Sequence, residues 1–488
     1  MPALEVLLII TAGLLFVSIV LSKVAVKAGV PVLLLFLGLG MLLGSDGPGR
    51  IYFDYPWLAQ SVGVIALVFI LFSGGLDTQW TEIRPVLRQG LLLSTAGVLL
   101  TALLVGALLH LVFDFSLVEG ILVGAIISST DAAAVFSVLR GKSITLKGSL
   151  RPLLEFESGS NDPVAVFLTI SMIQLVIAPD SSPVALIPAF VLQMSIGLLV
   201  GVLGAELAIR LINRVRLEYD GLYSALTIAL VLLIYGGAAL LGGNGFLAVY
   251  LAGVLMARQD FIHKRSLSSF HDGLAWLMQI LMFLTLGLQV YPSRLSQVAG
   301  TGLLVALFLM FIARPLSVFA ALFFEQLRLR EKVFIAWVGL RGAAPIVLAT
   351  FPLVAGLTQS GMIFDLVFFI VLASALLQGS LISPVARLLR VFEDNPQPIR
   401  SPLSFVMQDD QISDNLIECS VASHSPLCGK QILDLNLPPN TLIIMIGRGN
   451  DLIVPRGDTI IEAGDRVLFL ARPEVSLKIR TMLEQQSM

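Results

Sequence analysis

Long apolar runs separated by short charged breaks fill the first 390 or so residues of the chain. A helix needs about 20 mostly apolar residues to cross a bilayer. By that measure the runs at roughly 3–22, 28–44, 60–77, 89–112, 118–138, 153–178, 184–209, 221–241, 244–258, 271–290, 299–326, 331–355 and 362–388 predict thirteen helical spans. The first run has no basic residue before it and Lys23 after it, the reverse of a cleaved signal peptide.

Near residue 400 the pattern changes. Asn395, Pro396, Gln397 and Pro398 read as a linker. Beyond them NLIECSVA (415–422), TLIIMIG (441–447) and RVLFLA (466–471) have strand patterning, RGND (448–451) and PRGD (455–458) are turn signals, and PEVSLKIRTML (473–483) has helical spacing. The fold class expected is therefore a polytopic α-helical membrane domain over 1–390, a linker over 391–401 and a small α+β domain over 402–488.

Basic residues orient the spans. Alternate loops, beginning after the first span, hold Lys23 and Lys27; Arg84 and Arg88; Arg140, Lys142, Lys147 and Arg151; Arg210, Arg214 and Arg216; Arg258, Lys264 and Arg265; and Arg328, Arg330 and Lys332. The opposite loops hold only Arg50 and Arg294. Seventeen against two puts the N-terminus outside and the small C-terminal domain in the cytoplasm. The clean alternation also favours an odd number of spans.

Composition agrees. Hydrophobic residues make up 57% of the 488 and charged residues 13%, too apolar for a soluble domain. A net charge of -2 offers no field for nucleic acid. Cys419 and Cys428 are the only cysteines, and His110, His263, His271 and His424 are scattered, so no disulfide framework or zinc spacing is present. No nucleophile motif or phosphate loop points to an enzyme, and no cofactor is expected.

The chemistry lies in charges within spans, which are costly there and functional by default. Span 5 carries Thr130 and Asp131; span 6 carries Glu155, Glu157, Ser158, Asn161 and Asp162; span 11 carries Arg314; span 12 carries Arg341. Helix rise puts Asp131 about 10 Å, Asp162 about 14 Å, Arg341 about 15 Å and Arg314 about 18 Å from the cytoplasmic ends, close to a common depth. On span 6, Glu157 and Asn161 share one face and Ser158 and Asp162 the next. Pro163 withdraws the helical donor from the carbonyl near Gly159, which could bind a cation. Structural roles compete with these. Glu155 can pair with Arg151, Glu206 with Arg210 and Glu157 with Arg314; Asp77 reads as a loop contact, Asp131 as a helix cap, and Arg341 as a clasp on backbone carbonyls.

Gly339, Gly342 and Pro345 interrupt span 12, and the run Ser128-Ser129-Thr130-Asp131 is a weak place for helix in span 5. Spans 5 and 12 differ by seven, and an odd shift inverts topology. Inverted repeats with broken helices meeting at midplane are the architecture of secondary transporters.

At these residues the sequence resembles the NhaP-type monovalent cation/proton antiporters: Thr130-Asp131, Glu157 followed by Asn161-Asp162, Arg314 in an Ala-Arg-Pro context and GLRGA around Arg341. The resemblance covers nearly all of 1–390. It implies that Asp162 binds a monovalent metal cation or a proton in turn. Asn161, Asp131, Ser158 and Thr130 would line that site, with Asp131 a second carboxylate for the cation, and Glu157 would pair with Arg314. It also implies a homodimer in the bacterial inner membrane, surrounded by lipid, with a mobile core sliding against a dimerisation domain, and electroneutral exchange because Asn161 precedes Asp162. Residues from LCGKQILDLNLP onward resemble the C-terminal half of potassium-conductance regulator (RCK or TrkA-C) domains, whose nucleotide-binding half is missing here. That tail implies a small-molecule ligand and shifts the expected cation from Na+ to K+.

The physics of exchange is simple. A buried carboxylate is penalised when charged, and either a partly dehydrated cation or a proton relieves the penalty, so one group couples two ions without ATP. A sodium/proton antiporter is the near alternative. A proton-coupled symporter and a potassium channel with a regulatory tail belong to other classes, and the channel lacks a TVGYG-like filter.

Overall fold

The computed structural model describes residues 4–28, 31–142 and 144–393 and, near the C-terminus, 416–421, 425, 428–435, 437, 441–448 and 451–471. The chain divides into two compact units, one of Met1–Ile262 with Leu267–Asn395 and one of His263–Ser266 with Pro396–Met488.

The first unit is helical. In chain order its helices are α1 (Leu4–Ala28), α2 (Val32–Leu43), α3 (Pro56–Asp77), α4 (Trp80–Phe113), α5 (Leu117–Ile126), α6 (Ala132–Gly141), α7 (Leu150–Ile177), α8 (Pro183–Arg214), α9 (Asp220–Leu240), α10 (Gly245–Arg258), α11 (Lys264–Leu288), α12 (Pro292–Ala321), α13 (Leu329–Trp337), α14 (Ala343–Val354) and α15 (Ser360–Leu389). Among the described residues eight of these, α3, α4, α7, α8, α9, α11, α12 and α15, are long and apolar enough to cross a membrane. Shorter apolar helices lie at Ala12–Lys23, Val32–Leu43, Leu117–Ile126, Gly245–Arg258 and Ala343–Val354.

The expected apolar runs match these helices in order, with two differences of substance. The runs at 118–138 and 331–355 are each two helices with an extended break, α5/α6 and α13/α14. Elsewhere the starts move by up to nine residues: α4, α11 and α12 begin at Trp80, Lys264 and Pro292, ahead of the apolar cores of their runs.

A pattern recurs along the unit. A long helix containing one π-helical turn (Leu93–Gly97 in α4, Leu309–Ala313 in α12) is followed by a broken pair, and then by a long helix with an internal proline (Pro163 in α7, Pro384 in α15). The two helices with π turns touch, Thr101 donating to Ser317 at 3.0 Å. In α12 the π turn ends just before Arg314, and its extra residue re-aims that side chain into the bundle.

Burial separates the helices. The apolar windows of α7 and α15 are 61% buried, whereas that of α8 is 11% buried, leaving Ile187, Val191, Leu199 and Leu203 outward. In the core α3 packs on α10 and α14, α5 on α4 and α7, and α15 on α12 and α14. On the surface, Asp46 in the α2–α3 loop accepts from the Ser293 hydroxyl and amide, which hold its pKa below the ordinary carboxylate value of 3.8. A two-residue antiparallel ladder joins β1 (Thr145–Leu146), between α6 and α7, to β2 (Phe392–Glu393), just past α15. The Lys147 amide donates to the Val391 carbonyl at 2.9 Å beside it.

The second unit contains an antiparallel sheet in the order β3 (Leu416–Ser420), β6 (Arg466–Leu470), β4 (Leu442–Arg448), β5 (Asp451–Ile453). Val421, Ile443, Ile446, Ile461, Val467 and Phe469 form its core. Arg448 binds Asp465 through Nε and Nη2 at 2.8 Å each, which stabilises the charged guanidinium and raises its pKa. The three patterned strands are present, and β5 adds a short fourth that lacks enough residues for a pattern. The linker residues 395–398 and the helical pattern at 473–483 lie outside the described residues.

Candidate cation site

Two chain breaks build the site. After α5 the residues Ser128, Ser129 and Thr130 favour local hydrogen bonds over helix; Ser128 Oγ donates to the Ala125 carbonyl at 2.6 Å. Asp131 then restarts the chain as N-cap of α6, accepting from the Ala134 amide at 3.0 Å. The second break spans Val338–Gly342 between α13 and α14. Gly339 and Gly342 lie in it, while Pro345 falls in the first turn of α14, where a missing N–H leaves no bond unmade.

The two breaks touch. The Asp131 amide donates to the Leu340 carbonyl at 2.8 Å. The Asp131 carboxylate packs so closely on Gly342 that a Cβ there would overlap it and force it to move. Arg341, fully buried, donates from Nη1 to the carbonyls of Ser128 (2.5 Å) and Ser129 (2.8 Å), placing a cation on the negative end of α5. From α15, Ser374 accepts from the Arg341 amide at 3.2 Å and donates to Gln378 at 2.6 Å, and Gln378 donates to the Trp337 carbonyl at 3.0 Å. The second break is thereby pinned at both ends.

Helix α7 lies against the first break. Asn161 Nδ2 donates to Thr130 Oγ1 at 2.6 Å. Ser158 Oγ donates to the Thr130 carbonyl at 3.0 Å and accepts from the Ala132 amide at 3.1 Å. The Ser129 hydroxyl donates to Asp162 Oδ1 and lies 3.5 Å from Asn161 Oδ1. Asp162, Asn161, Thr130 and Ser158 thus converge on the segment that Asp131 ends. Asn161 and Thr130 are buried, and Asp162 is 9% exposed; Asp131 and Ser158 keep partial exposure. Behind Asp162, Asn244 at the start of α10 donates from Nδ2 to the Pro163 carbonyl at 2.8 Å, and the Tyr250 ring packs on Gly159.

The charges fall into two kinds. Glu157 and Arg314 form a buried pair, Nη2 to Oε1 at 2.5 Å, one turn from the site. Gly339 leaves room for it, since a Cβ would sit 2.7 Å from Arg314 Nε. Asp162 differs. Among the described residues no basic side chain pairs with it, and Ser129 is its hydrogen-bond donor. The surface pairs Arg151–Glu155 (2.9 Å) and Arg210–Glu206 (2.8 Å) are the i, i+4 contacts expected. Ser374, Gln378 and Asn244 were not singled out from sequence; Ser129 and Gly342 stood out there only as members of the two weak-helix segments, not as site residues.

The chain is similar to known proteins. The family model for the sodium/hydrogen exchanger transmembrane domain matches residues 12–388, and the TrkA-C domain model matches 416–483. A K(+)/H(+) antiporter NhaP2 of a Shewanella species (strain ANA-3) is 39% identical over 482 residues, covering 98% of this chain and 83% of its own length. A K(+)/H(+) antiporter NhaP of Alkalimonas amylolytica is 35% identical over 494 residues, covering 100% of this chain and 86% of its own. The solved structure of the sodium proton antiporter MjNhaP1 of Methanocaldococcus jannaschii at pH 8 superposes with a TM-score of 0.67 at 27% identity, over 78% of this chain and 99% of that one. The chain belongs to the sodium/hydrogen exchanger family and is a monovalent cation/proton antiporter, not an enzyme, with a TrkA-C domain following the membrane domain in sequence.

Proposed function

We propose that the protein exchanges K+ for H+ electroneutrally, with Asp162 as the carboxylate that the two ions share. One observation carries this reading: a buried acid with a hydroxyl donor and, among the described residues, no basic partner. A charge so placed needs a counter-charge. Glu157 has one in Arg314; for Asp162 it comes from solution, as a proton or as a cation. Asn161, Thr130, Ser158 and Asp131 supply oxygens around the ion, the hard ligands that alkali cations take. Once neutral, the core crosses the apolar barrier at low cost, and alternating access follows. Asn161 beside Asp162 adds no second titrating carboxylate, in keeping with one charge out for one charge in.

Thirteen spans, N-terminus outside and C-terminus cytoplasmic in a bacterial inner membrane, accommodate the helices and the seventeen-to-two loop bias. The recurring order of π-turn helix, broken pair and proline-containing helix supports an inverted repeat. The outward apolar face of α8 suits a homodimer. The TrkA-C domain over 402–488 is a regulatory module for a small ligand. K+ rather than Na+ rests on the names of the relatives that span both domains; the M. jannaschii relative, named a Na(+)/H(+) antiporter and 30% identical over 366 residues, favours Na+ as the second reading.

The test is cation-driven collapse of a pH gradient in proteoliposomes, with K+, Na+, Li+ and Rb+ offered separately and a voltage dye alongside. K+-driven collapse without a change in potential is expected. Current in the absence of a pH gradient would replace the exchanger with a channel.

A further inference from the structure

Where the chain leaves α15, a cavity of about 460 Å³ opens between the β1 segment, the first turn of α13 and the last turn of α15. Lys147, Arg328, Arg330 and Arg390 line it, with Glu331 as the acid among them. All four basic residues are exposed, and among the described residues none is paired with a carboxylate. Glu331 is already engaged, accepting from the Arg328 amide at 2.9 Å. Four like charges facing one space repel each other, and a bound anion removes that cost.

The walls are main chain held in place. The β1–β2 ladder and the Lys147–Val391 bond close one side. Arg390 ends α15 with φ 56, a left-handed conformation that costs an L side chain energy. It is held there by bonds from its own amide to Arg387 (3.1 Å) and from the Val391 amide to Ala386 (3.2 Å). These bonds make Arg390 a left-handed cap that fixes where its side chain leaves the end of α15.

The apolar surroundings select among anions. Leu329, in the lining, is 67% exposed, and Leu389 lines the cavity from the end of α15. A free phosphate has no use for exposed leucines, whereas a lipid covers them with its chains while arginine forks grip its phosphate. We propose that this cavity binds the phosphodiester headgroup of an anionic phospholipid, with its acyl chains along Leu329 and Leu389. Such a lipid would bridge α13 and α15, the two elements that Gln378 ties together at the second helix break.

Native mass spectrometry of the full-length protein, titrated with phosphatidylglycerol, phosphatidylcholine or inorganic phosphate, tests this. The wild type should retain phosphatidylglycerol over phosphatidylcholine. The triple variant Arg328→Gln, Arg330→Gln, Arg390→Asn should lose about tenfold or more in apparent affinity for it. Asparagine is chosen because it tolerates the left-handed backbone. Arg214→Gln with Arg216→Gln, on a different basic loop, should change nothing. If the triple variant fails to fold, Lys147→Gln with Arg328→Gln is to show the same loss in smaller measure. Equal retention by wild type and variant, an equal loss in the Arg214 and Arg216 control, or displacement of the lipid by millimolar inorganic phosphate would each overturn the assignment.

Discussion

The Asp131 amide donates to the Leu340 carbonyl at 2.8 Å, so the two broken helices meet through the residues at which they break. Neither break has to leave its polar groups bare in the membrane, because each supplies partners to the other. The same contact sets Asp131 and Arg341 on opposite helix ends, each matched to the local dipole. Asp162 is placed beside this meeting point and outside its charge balance.

Asp162→Asn should abolish exchange while the protein still inserts and melts normally. Ser129→Ala, which removes the hydroxyl donating to the carboxylate, should raise the apparent cation KM by about tenfold, the order expected for a lost hydrogen bond to a charged group. Dequenching assays in proteoliposomes read both. Near-normal exchange by the Asp162 variant at normal expression would remove it from the mechanism.

Glu157 and Arg314 should behave as partners. Removing either charge strands the other in the bundle at a cost of about 3–5 kcal/mol, and removing both should recover part of that loss. A thermal-stability double-mutant cycle measures the coupling. Additive losses would mean that the 2.5 Å contact contributes nothing to stability.

Gly342→Ala should eliminate transport with only modest change in expression, because the new methyl displaces the Asp131 carboxylate from the meeting point. Gly221→Ala, which meets open space, is the matched control. Transport by Gly342→Ala equal to that of the control would show that the carboxylate moves without consequence.

Deleting residues 402–488 should preserve exchange and change its dependence on pH and K+. A ligand shifts a transport equilibrium only through its differential affinity for two states. Activity curves that coincide for truncated and full-length protein under every condition would leave the tail without a regulatory role; loss of all transport in a folded truncation would make it part of the transport unit.

The site was partly legible because cost leaves a trace in sequence. A charge in an apolar run is conspicuous, and Asp131, Glu157, Asp162, Arg314 and Arg341 stood out on those grounds. The weak-helix segment at 128–131 and the glycines of the second break were legible for the same reason, since neither suits a continuous helix. Ser374, Gln378 and Asn244 were not. Small polar residues are common in spans, and their value lies in reaching a particular carbonyl of another helix, which no spacing along the chain encodes. The π turns of α4 and α12 were hidden too: an inserted residue shifts the phase of an apolar face, and a span that is apolar all round shows no phase to shift.

The β1–β2 ladder is small, but it decides where a pull is felt. Its four residues splice the exit of α15 to the connection between α6 and α7. One of those helices starts at Asp131 and the other carries Asp162. Tension arriving at Glu393 from further along the chain therefore does not stop at the end of the last long helix. The backbone hydrogen bonds of the ladder would carry it to the connection between the two carboxylate-bearing helices, as a mooring line carries load to the cleat to which it is tied.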